Sequence, residues 1–546
     1  MLVERGPRSY ASQATAARYA ARMERPEQRE RHAERLEGAV WGHLVGDALG
    51  VPYEFRPPEA VGTVVFGATG THGQPPGTWS DDGALMLALL DSLVAWDGDG
   101  GRALVRFGPA DQALRIRRWF EEGAYTPDGD GRFDIGNATR AAIDALRSGV
   151  PAEEAGSVLP NGLGNGSLMR ILPVALAGRG LDGATLVRWA VDASSVTHGA
   201  PLPRVACALY VLLATRLFLT PDAPAVALAG ARDALGAQVA ATPLEGALGE
   251  LLAWDRRTGG GHVADAFWSA WEAFEGADSY EAAVTRAVRF GHDTDTTAAI
   301  AGGLAGIRWG IGGIPAAWLA AMRGRDVAGP LVDRLLARAG WRTSTTNPLR
   351  VDWVPLADVP GLASAPGSVG MTLLPGKRRD GYSGPHWRDP AADARRLRDV
   401  HACDTFLLLV EDVDLAMSRA WGTVPALEAA GIRVVRHPVP DMDVPGDPAA
   451  YRATLDDVLA RIRGGERVVV ACRGGLGRTG TAVACLLVDG GVLPDEAIAR
   501  IRAARPGTVE RRSQDDFVRA WGGRAAAPDR GALPDQGGEL DDEAPA

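Results

Sequence analysis

An all-helical first half followed by an α/β second half is the fold the sequence predicts, and three observations carry that expectation. From about residue 34 to about residue 340, apolar residues recur at helical spacing, as in GAVWGHLVGDALG, ALMLALLDSLVAW and RVACALYVLLATRLFL, between Gly/Pro/Asp loops. Beyond NPLRVDWVPLADVPGLASAPGSVG, rich in turn residues, the pattern becomes short β-branched runs, TFLLLV, IRVVRHPV and RVVVAC, alternating with helical segments. A chain of 546 residues also exceeds one core at about 100–200 residues per domain. The division this implies is an N-terminal extension over 1–33, a helical domain over 34–345, a linker over 346–365, an α/β domain over 366–525 and an unpacked acidic tail over 526–546.

Composition narrows the function. The formal charge is −10 and no basic stripe occurs, which argues against nucleic-acid binding except to a modified nucleic acid as substrate. Lys377 is the only lysine, so a Walker-type phosphate loop and a lysine Schiff base elsewhere are excluded. The four cysteines, Cys207, Cys403, Cys472 and Cys485, have neither disulfide-framework nor zinc-site spacing. No apolar leader and no run of about 20 apolar residues is present, so a cytoplasmic protein without a membrane span is expected.

In the second half, RVVVACRGGLGRTGTAVACLLV runs from a β-branched strand through a glycine-rich turn into a helix. Gly475, Gly477 and Gly480 spell G-x-G-x-x-G, yet a dinucleotide site needs a second strand ending in an acid about 20 residues later. DGGVLPDEAIARIRAA stands there, with a proline and helical spacing. Cys472 and Arg478 instead spell C-x-x-x-x-x-R. The turn from Arg473 to Arg478 can form an anion nest at a helix N-terminus, which favours both thiolate and phosphate. Arg478 can clamp two phosphoryl oxygens with its planar fork, and the Thr479 hydroxyl can stabilise a departing thiolate.

These residues resemble the signature loop of the dual-specificity and tyrosine phosphatases. The GGLGRT form, GMTLLPGKR upstream and the PVPD segment are similar to the kinase-associated subgroup, over about residues 366–522. The resemblance implies the cysteine phosphatase fold, a central sheet flanked by helices, without a cofactor. It makes Cys472 the nucleophile, Arg478 the phosphate clamp and Asp441 in HPVPDMD the general acid, with Asp443 its rival. Arg473, Gly475, Gly477 and Thr479 would bind the phosphoryl group, and Gln514 would hold the hydrolytic water. Ala471 departs from the histidine common before the cysteine. The implied partner is a phosphorylated protein or small molecule.

In the first half two acidic clusters precede apolar helical runs: Ser80, Asp81 and Asp82 in WSDDGALMLALL, and Asp293, Asp295 and Thr296 in GHDTDTTAAIAGGLAG. Each can be a helix cap with acids in the first turn. One cap needs one side chain, however, and the seven hard oxygen donors of S-D-D and D-T-D-T, Thr294 included, exceed that need. If the clusters meet, their mutual repulsion calls for cations, and carboxylate and hydroxyl ligands select magnesium or manganese over zinc.

The ordered motifs GAVWGHLVGDALGVPYEF, WSDDG, LPNGLGNGSLMRILPVALA, SSVTHGAP and GHDTDTTAAIAGGLAGI resemble the ADP-ribosylglycohydrolase family over about residues 34–340. That resemblance implies an orthogonal helical bundle with two Mg²⁺ or Mn²⁺ ions, held by Ser80, Asp81, Asp82, Asp293, Asp295 and Thr296. It places Glu54 near the metals, and Glu54 or one of the ligand aspartates would move the proton. Asn165, Gly166, Ser167 and His198 would line the ADP-ribose site, and the partner would be an ADP-ribosylated protein or small molecule. Ser80 and Gly83 replace threonines common in the family. The expectation is thus a bifunctional hydrolase. The alternatives are an ADP-ribose- or phosphate-binding scaffold with one domain inactive, or a helical hydrolase of another glycosyl or amide bond.

Overall fold

The computed structural model describes residues 25–95, 107–127, 132–159, 162–380 and 384–522. Residues 1–24 of the expected extension, residues 160–161 of the LPNGLGNG motif and the tail 526–546 lie outside the described residues. Two compact units are present. One comprises the chain up to Asn347 together with Asp380–Trp387, the other Pro348–Arg379 and the chain from Arg388 onward.

The first unit is built of helices. Those that position its chemistry are α1 (Pro26–Gly50), α2 (Asp81–Leu93), α3 (Gly183–Ser195), α4 (Pro201–Leu217) and α5 (Thr294–Trp309). Helix α1 starts at Pro26, where proline's missing N–H costs nothing, so residues 26–33 of the expected extension are its first turns. Gly38, Gly42, Gly46 and Gly50 recur every fourth residue and make one bare stripe along α1. Against it, in antiparallel order, lie Gly310, Gly306, Gly302 and Ala298 of α5 and its cap. A Cβ at Gly46 would sit 2.2 Å from the Ala298 carbonyl oxygen, and one at Gly42 2.5 Å from that of Gly302. Backbone therefore touches backbone. That close approach brings the end of α1 onto the start of α5, where Gly50 abuts Asp295.

The stretch Asp380–Trp387 differs from the expected division, since it packs in the helical unit. Trp387 Nε1 donates to Glu37 Oε2 at 2.8 Å, and the indole meets Trp341 edge-on at 5.2 Å between centroids. Half of these eight residues are Gly, Ser or Pro, so their spacing gives no sign of a packed segment.

The second unit holds a five-stranded sheet of β1 (Asp352–Val354), β2 (Ser368–Leu373), β3 (Thr405–Leu408), β4 (Arg433–Arg436) and β5 (Arg467–Cys472), in spatial order β1-β2-β5-β3-β4. Only β1 runs antiparallel. β1 lies within the expected linker and corrects it: three residues bounded by proline-rich turns are too short to show a period in sequence, and pairing with β2 makes them an edge strand. The apolar runs of β3 and β5 are buried on both faces, as parallel strands between helices are. Helices α6 (Gly477–Asp489) and α7 (Arg512–Gly522) follow β5. Parallel strands discharge their loops at one edge of the sheet, so Asp414 after β3, Asp441 after β4 and Cys472 at the end of β5 converge there.

Candidate active sites

In the helical unit the two acidic clusters meet. Thr296 Oγ1 donates to Asp82 Oδ2 at 3.1 Å, which ties the start of α5 to the start of α2. Carboxylate oxygens of Glu54, Asp293 and Asp295 lie within 4.8 Å of one another, and so do ligand atoms of Glu54, His72 and Asp134. Asp81, Asp82 and Asp295 are nearly inaccessible, and among the described residues Asp82 Oδ1 and both Asp295 oxygens have no hydrogen-bond partner. Orphaned buried carboxylate oxygens are costly. Hard donors arranged in this way fit a divalent cation.

The capping reading also holds for one residue, since Ser80 Oγ accepts from the Asp82 N–H at 3.2 Å. Asp47, which the motif reading passed over inside GDALG, fixes this corner: its carboxylate accepts from the N–H groups of Ser80 at 2.9 Å and Gly83 at 2.7 Å. Burial pushes Asp47 up to about 7, those two bonds opposing the shift. Glu54 is pushed up to about 10 by burial and then by facing Asp134, Asp293 and Asp47. The His72 ring Nε2 pairs with Glu54 Oε2. Asp81, Asp82 and Asp295 are raised by burial first and neighbouring carboxylates after, while Asp293 is raised by burial with hydrogen bonds from Asn165 and Thr296 opposing.

Backbone geometry marks the same place. Phe55, Asp134 and His292 have φ of 63°, 60° and 59°, a region costly for side chains of this size. Phe55 N donates to the His292 carbonyl and His292 N to that of Arg56, each at 2.7 Å, locking residues that adjoin Glu54 and Asp293.

Of the remaining expected residues, Asn165 reaches the cluster, with Nδ2 donating to Asp293 Oδ2 at 2.8 Å. Gly166 lies beneath the His198 ring, where a Cβ would be 2.9 Å from Cε1. Ser167 corrects the expectation of a lining hydroxyl. It is wholly buried and accepts from Ser194 Oγ at 2.8 Å and Cys207 Sγ at 3.4 Å, so its hydroxyl serves the core. His198 is also buried, its Nδ1 paired with Thr197 Oγ1 at 2.8 Å.

In the second unit, Cys472 closes β5 and Arg478 stands in the first turn of α6. Gly475 has φ 71°, and a Cβ there would lie 2.2 Å from the Thr372 carbonyl oxygen, so the loop needs glycine at this point. Arg505 holds the loop from behind: it donates to the Gly474 carbonyl at 3.1 Å and is braced by Asp352 of β1 at 2.6 Å. Arg478 donates to Asp414 Oδ2 at 2.6 Å, to the Val439 carbonyl at 2.7 Å and to Asp441 Oδ1 at 2.8 Å. Arg473 reaches the other Asp441 oxygen at 2.7 Å. Asp443, the rival acid, caps the Val444 N–H, and its carbonyl accepts from Gln514 Nε2 at 3.3 Å. Asp441, and not Asp443, thus contacts both arginines of the loop.

Gln514 is buried against Gly477, whose N–H donates to Glu510 at 2.9 Å. Thr479 Oγ1 is buried without a partner, and Ala471 is fully enclosed between β2 and β3. Lys377 is lowered to about 8 by burial and by Arg473, with Cys472 and Asp441 opposing. Asp414 and Arg505 carried no signal in the sequence, for the fold alone brings them to the loop.

A model of the ADP-ribosylglycohydrolase family matches residues 28–344, and one described as "Polymorphic toxin system, DSP-PTPase phosphatase" matches residues 410–492. The chain is 33% identical over 305 residues to an ADP-ribosylarginine hydrolase, Tri1, of Pseudomonas putida, covering 53% of this chain and 74% of that one. A solved structure titled as an ADP-ribosylglycohydrolase-related protein complex shares 31% identity at a TM-score of 0.45, covering 57% of this chain and 99% of its own. A solved kinase-associated phosphatase with its catalytic cysteine replaced by serine shares 21% identity at a TM-score of 0.30, covering 33% and 97%. Among the described residues no helix is long and apolar enough to cross a membrane. On these matches the chain belongs to the ADP-ribosylglycohydrolase family and is a two-domain hydrolase that carries a phosphatase domain of the DSP-PTPase type.

Proposed function

We propose that the helical unit hydrolyses the N-glycosidic bond between ADP-ribose and an arginine side chain, in a divalent-cation-dependent manner, and that the second unit hydrolyses phosphate monoesters through Cys472. The observation that carries the first reading is the Thr296–Asp82 bond, which joins two acidic clusters around carboxylate oxygens that have no protein partner. The arginine acceptor follows the ADP-ribosylarginine hydrolase to which this half is similar.

Asp81, Asp82, Asp293, Asp295 and Thr296 would hold magnesium or manganese, which when bound supplies a Lewis acid and a more acidic water. Ser80 adds its oxygen to that set while it caps α2. Glu54, which burial inclines to keep its proton, can give it to the leaving guanidine nitrogen, and Asn165 orients Asp293. In the second unit Cys472 attacks phosphorus while Arg478 and the loop N–H groups hold the equatorial oxygens. Asp441 protonates the leaving oxygen, and Gln514 places water for release of phosphate.

Release of ADP-ribose from arginine-, serine- and DNA-linked substrates by the full chain tests the first reading. It should appear with the arginine substrate, vanish with chelator and vanish in Asp295→Ala. Phosphate release from a phosphotyrosyl or phosphothreonyl peptide should survive the chelator and vanish in Cys472→Ser. Turnover of the wrong linkage, or none, overturns the respective half.

A further inference from the structure

A buried arginine stands behind the loop that carries Asn165 and Gly166. Arg170 is fully inaccessible and makes no ion pair among the described residues. Nη1 donates to the Gly166 carbonyl at 2.6 Å, while Nη2 donates to the Ala193 carbonyl at 3.1 Å and to Thr197 Oγ1 at 2.7 Å. A guanidinium has no acceptor, so Thr197 must accept that bond.

Thr197 is itself wholly buried, with His198 Nδ1 2.8 Å from its hydroxyl oxygen. Two arrangements of hydrogens are open. With a hydrogen on Nδ1, Thr197 accepts twice and its own hydrogen is left without an acceptor, at a cost of about 1–3 kcal/mol in a buried site. With Nδ1 bare, Thr197 donates to it and every group is satisfied. The neutral ring then carries its hydrogen on Nε2. Burial, with Arg170 nearby, pushes His198 down to about 3, so a second proton is absent at neutral pH.

The Nε2 edge faces two glycines. A Cβ at Gly164 would lie 3.5 Å from Nε2, and one at Gly166 3.3 Å from it. Neither glycine sets a side chain against that edge, and Asn165 between them is bonded to Asp293 of the acidic cluster.

We propose that Arg170 and Thr197 are positioning residues that fix His198 as a neutral Nε2–H donor, so that this edge of the site takes an oxygen acceptor of the ligand, a ribose hydroxyl or a phosphoryl oxygen. The ligand's identity rests on the ADP-ribosyl reading above, whereas the hydrogen's place on the ring does not.

The test uses the full chain with ¹⁵N-labelled histidine, His198 being assigned by its loss in His198→Gln. Long-range ¹H–¹⁵N spectra should show hydrogen on Nε2 and a hydrogen-bonded, bare Nδ1, unchanged in Thr197→Ser. In Thr197→Val the Nδ1 signal should move to that of an unbonded nitrogen, and ADP-ribose should bind about 3- to 10-fold more weakly, the worth of one neutral hydrogen bond. Parallel titrations with ADP and with ribose identify the acceptor by which of them loses affinity in that variant. Hydrogen on Nδ1 in the wild type, or a Thr197→Val protein with unaltered signal and affinity, overturns the proposal. A wild-type chain that shows the expected tautomer but neither binds nor releases ADP-ribose overturns the ADP-ribosyl reading instead.

Discussion

Removing divalent cations should make the helical unit's stability fall as pH rises, and the size of that effect follows from the acidic cluster. Glu54, Asp293 and Asp295 offer oxygens within 4.8 Å of one another. At an effective dielectric near 20, two charges at that distance repel by about 3 kcal/mol, so three ionised carboxylates cost about 10 kcal/mol. That equals the whole net stability of an ordinary domain. Burial first, and neighbouring carboxylates after it, favour keeping protons in the folded chain, so Asp47 rises to about 7 and Asp81, Asp82, Asp293 and Asp295 all rise. In the unfolded chain the same aspartates ionise near 4. Between these values the folded state binds more protons, so the contribution is full below about pH 4 and is lost as pH climbs through the folded value. For Asp47 alone the rise from near 4 to about 7 corresponds to about 4 kcal/mol. A bound cation takes the place of the protons. At a thousandfold its Kd it adds about 4 kcal/mol, which for a unit of this size raises Tm by about 8 °C. Calorimetry of the full chain at pH 6, 7 and 8, with chelator or with Mn²⁺, reads both effects. The chelated Tm should fall across that range, Mn²⁺ should restore it most at pH 8, and Asp295→Ala should abolish the increment while raising the chelated Tm. A transition that ignores Mn²⁺, or an Asp295→Ala protein less stable than the wild type in chelator, would refute the reasoning.

Three further outcomes are expected. Gly46→Ala puts a methyl 2.2 Å from the Ala298 carbonyl oxygen, so α1 and α5 must part; stability should drop by about 1–3 kcal/mol in chemical denaturation and the Mn²⁺ increment should shrink with it. Asp441→Asn should lower kcat for an alkyl phosphate by at least about 100-fold and much less for a phenolic ester with a good leaving group, while Asp443→Asn stays within a few-fold; equal losses would void the assignment of the acid. Trp387→Ala removes the indole bonded to Glu37 and stacked edge-on with Trp341, so the helical unit's melting transition should fall by the equivalent of about 3–5 kcal/mol; an unmoved transition would show that the segment adds nothing to that unit.

The sequence made the chemistry of both halves more legible than its support, and the reason is local. C-x-x-x-x-x-R, S-D-D and D-T-D-T are short because a strand-to-helix turn or a helix start must present several groups from consecutive residues. A reader of the sequence can therefore see them whole. Asp47, Asp134 and His72 act on those groups across tens of residues, and nothing but the fold relates them: Asp47, on α1, accepts from Ser80 at the start of α2. Asp414 and Arg505 belong to the same class, joined to the phosphate loop through parallel strand order and through β1, a strand of three residues. Ser167 shows the converse error, since a motif position adjacent to Asn165 still turns its hydroxyl into the core.

The glycine stripe joins these observations into one argument. Glycines at four-residue spacing are poor helix formers, each costing about 1 kcal/mol relative to alanine. That cost is accepted where only hydrogen atoms fit between two backbones. The gain is geometric: helices this close place Glu54, Asp293 and Asp295 within 4.8 Å, a separation at which carboxylates resist ionisation. Packing that overcomes such repulsion without side-chain interdigitation along the stripe has to draw on the rest of the helical core, where Trp79, Leu36, Leu44 and Tyr280 are wholly buried. Tyr280 does so directly, donating its hydroxyl to the Gly42 carbonyl at 2.6 Å beside the stripe. Tyr280→Phe leaves the ring and removes that bond, so it isolates the brace from the packing. A loss of about 1 kcal/mol with an undiminished Mn²⁺ increment would make the tyrosine a local brace. A loss of the increment as well would mean that the helix spacing itself is what keeps the carboxylates together.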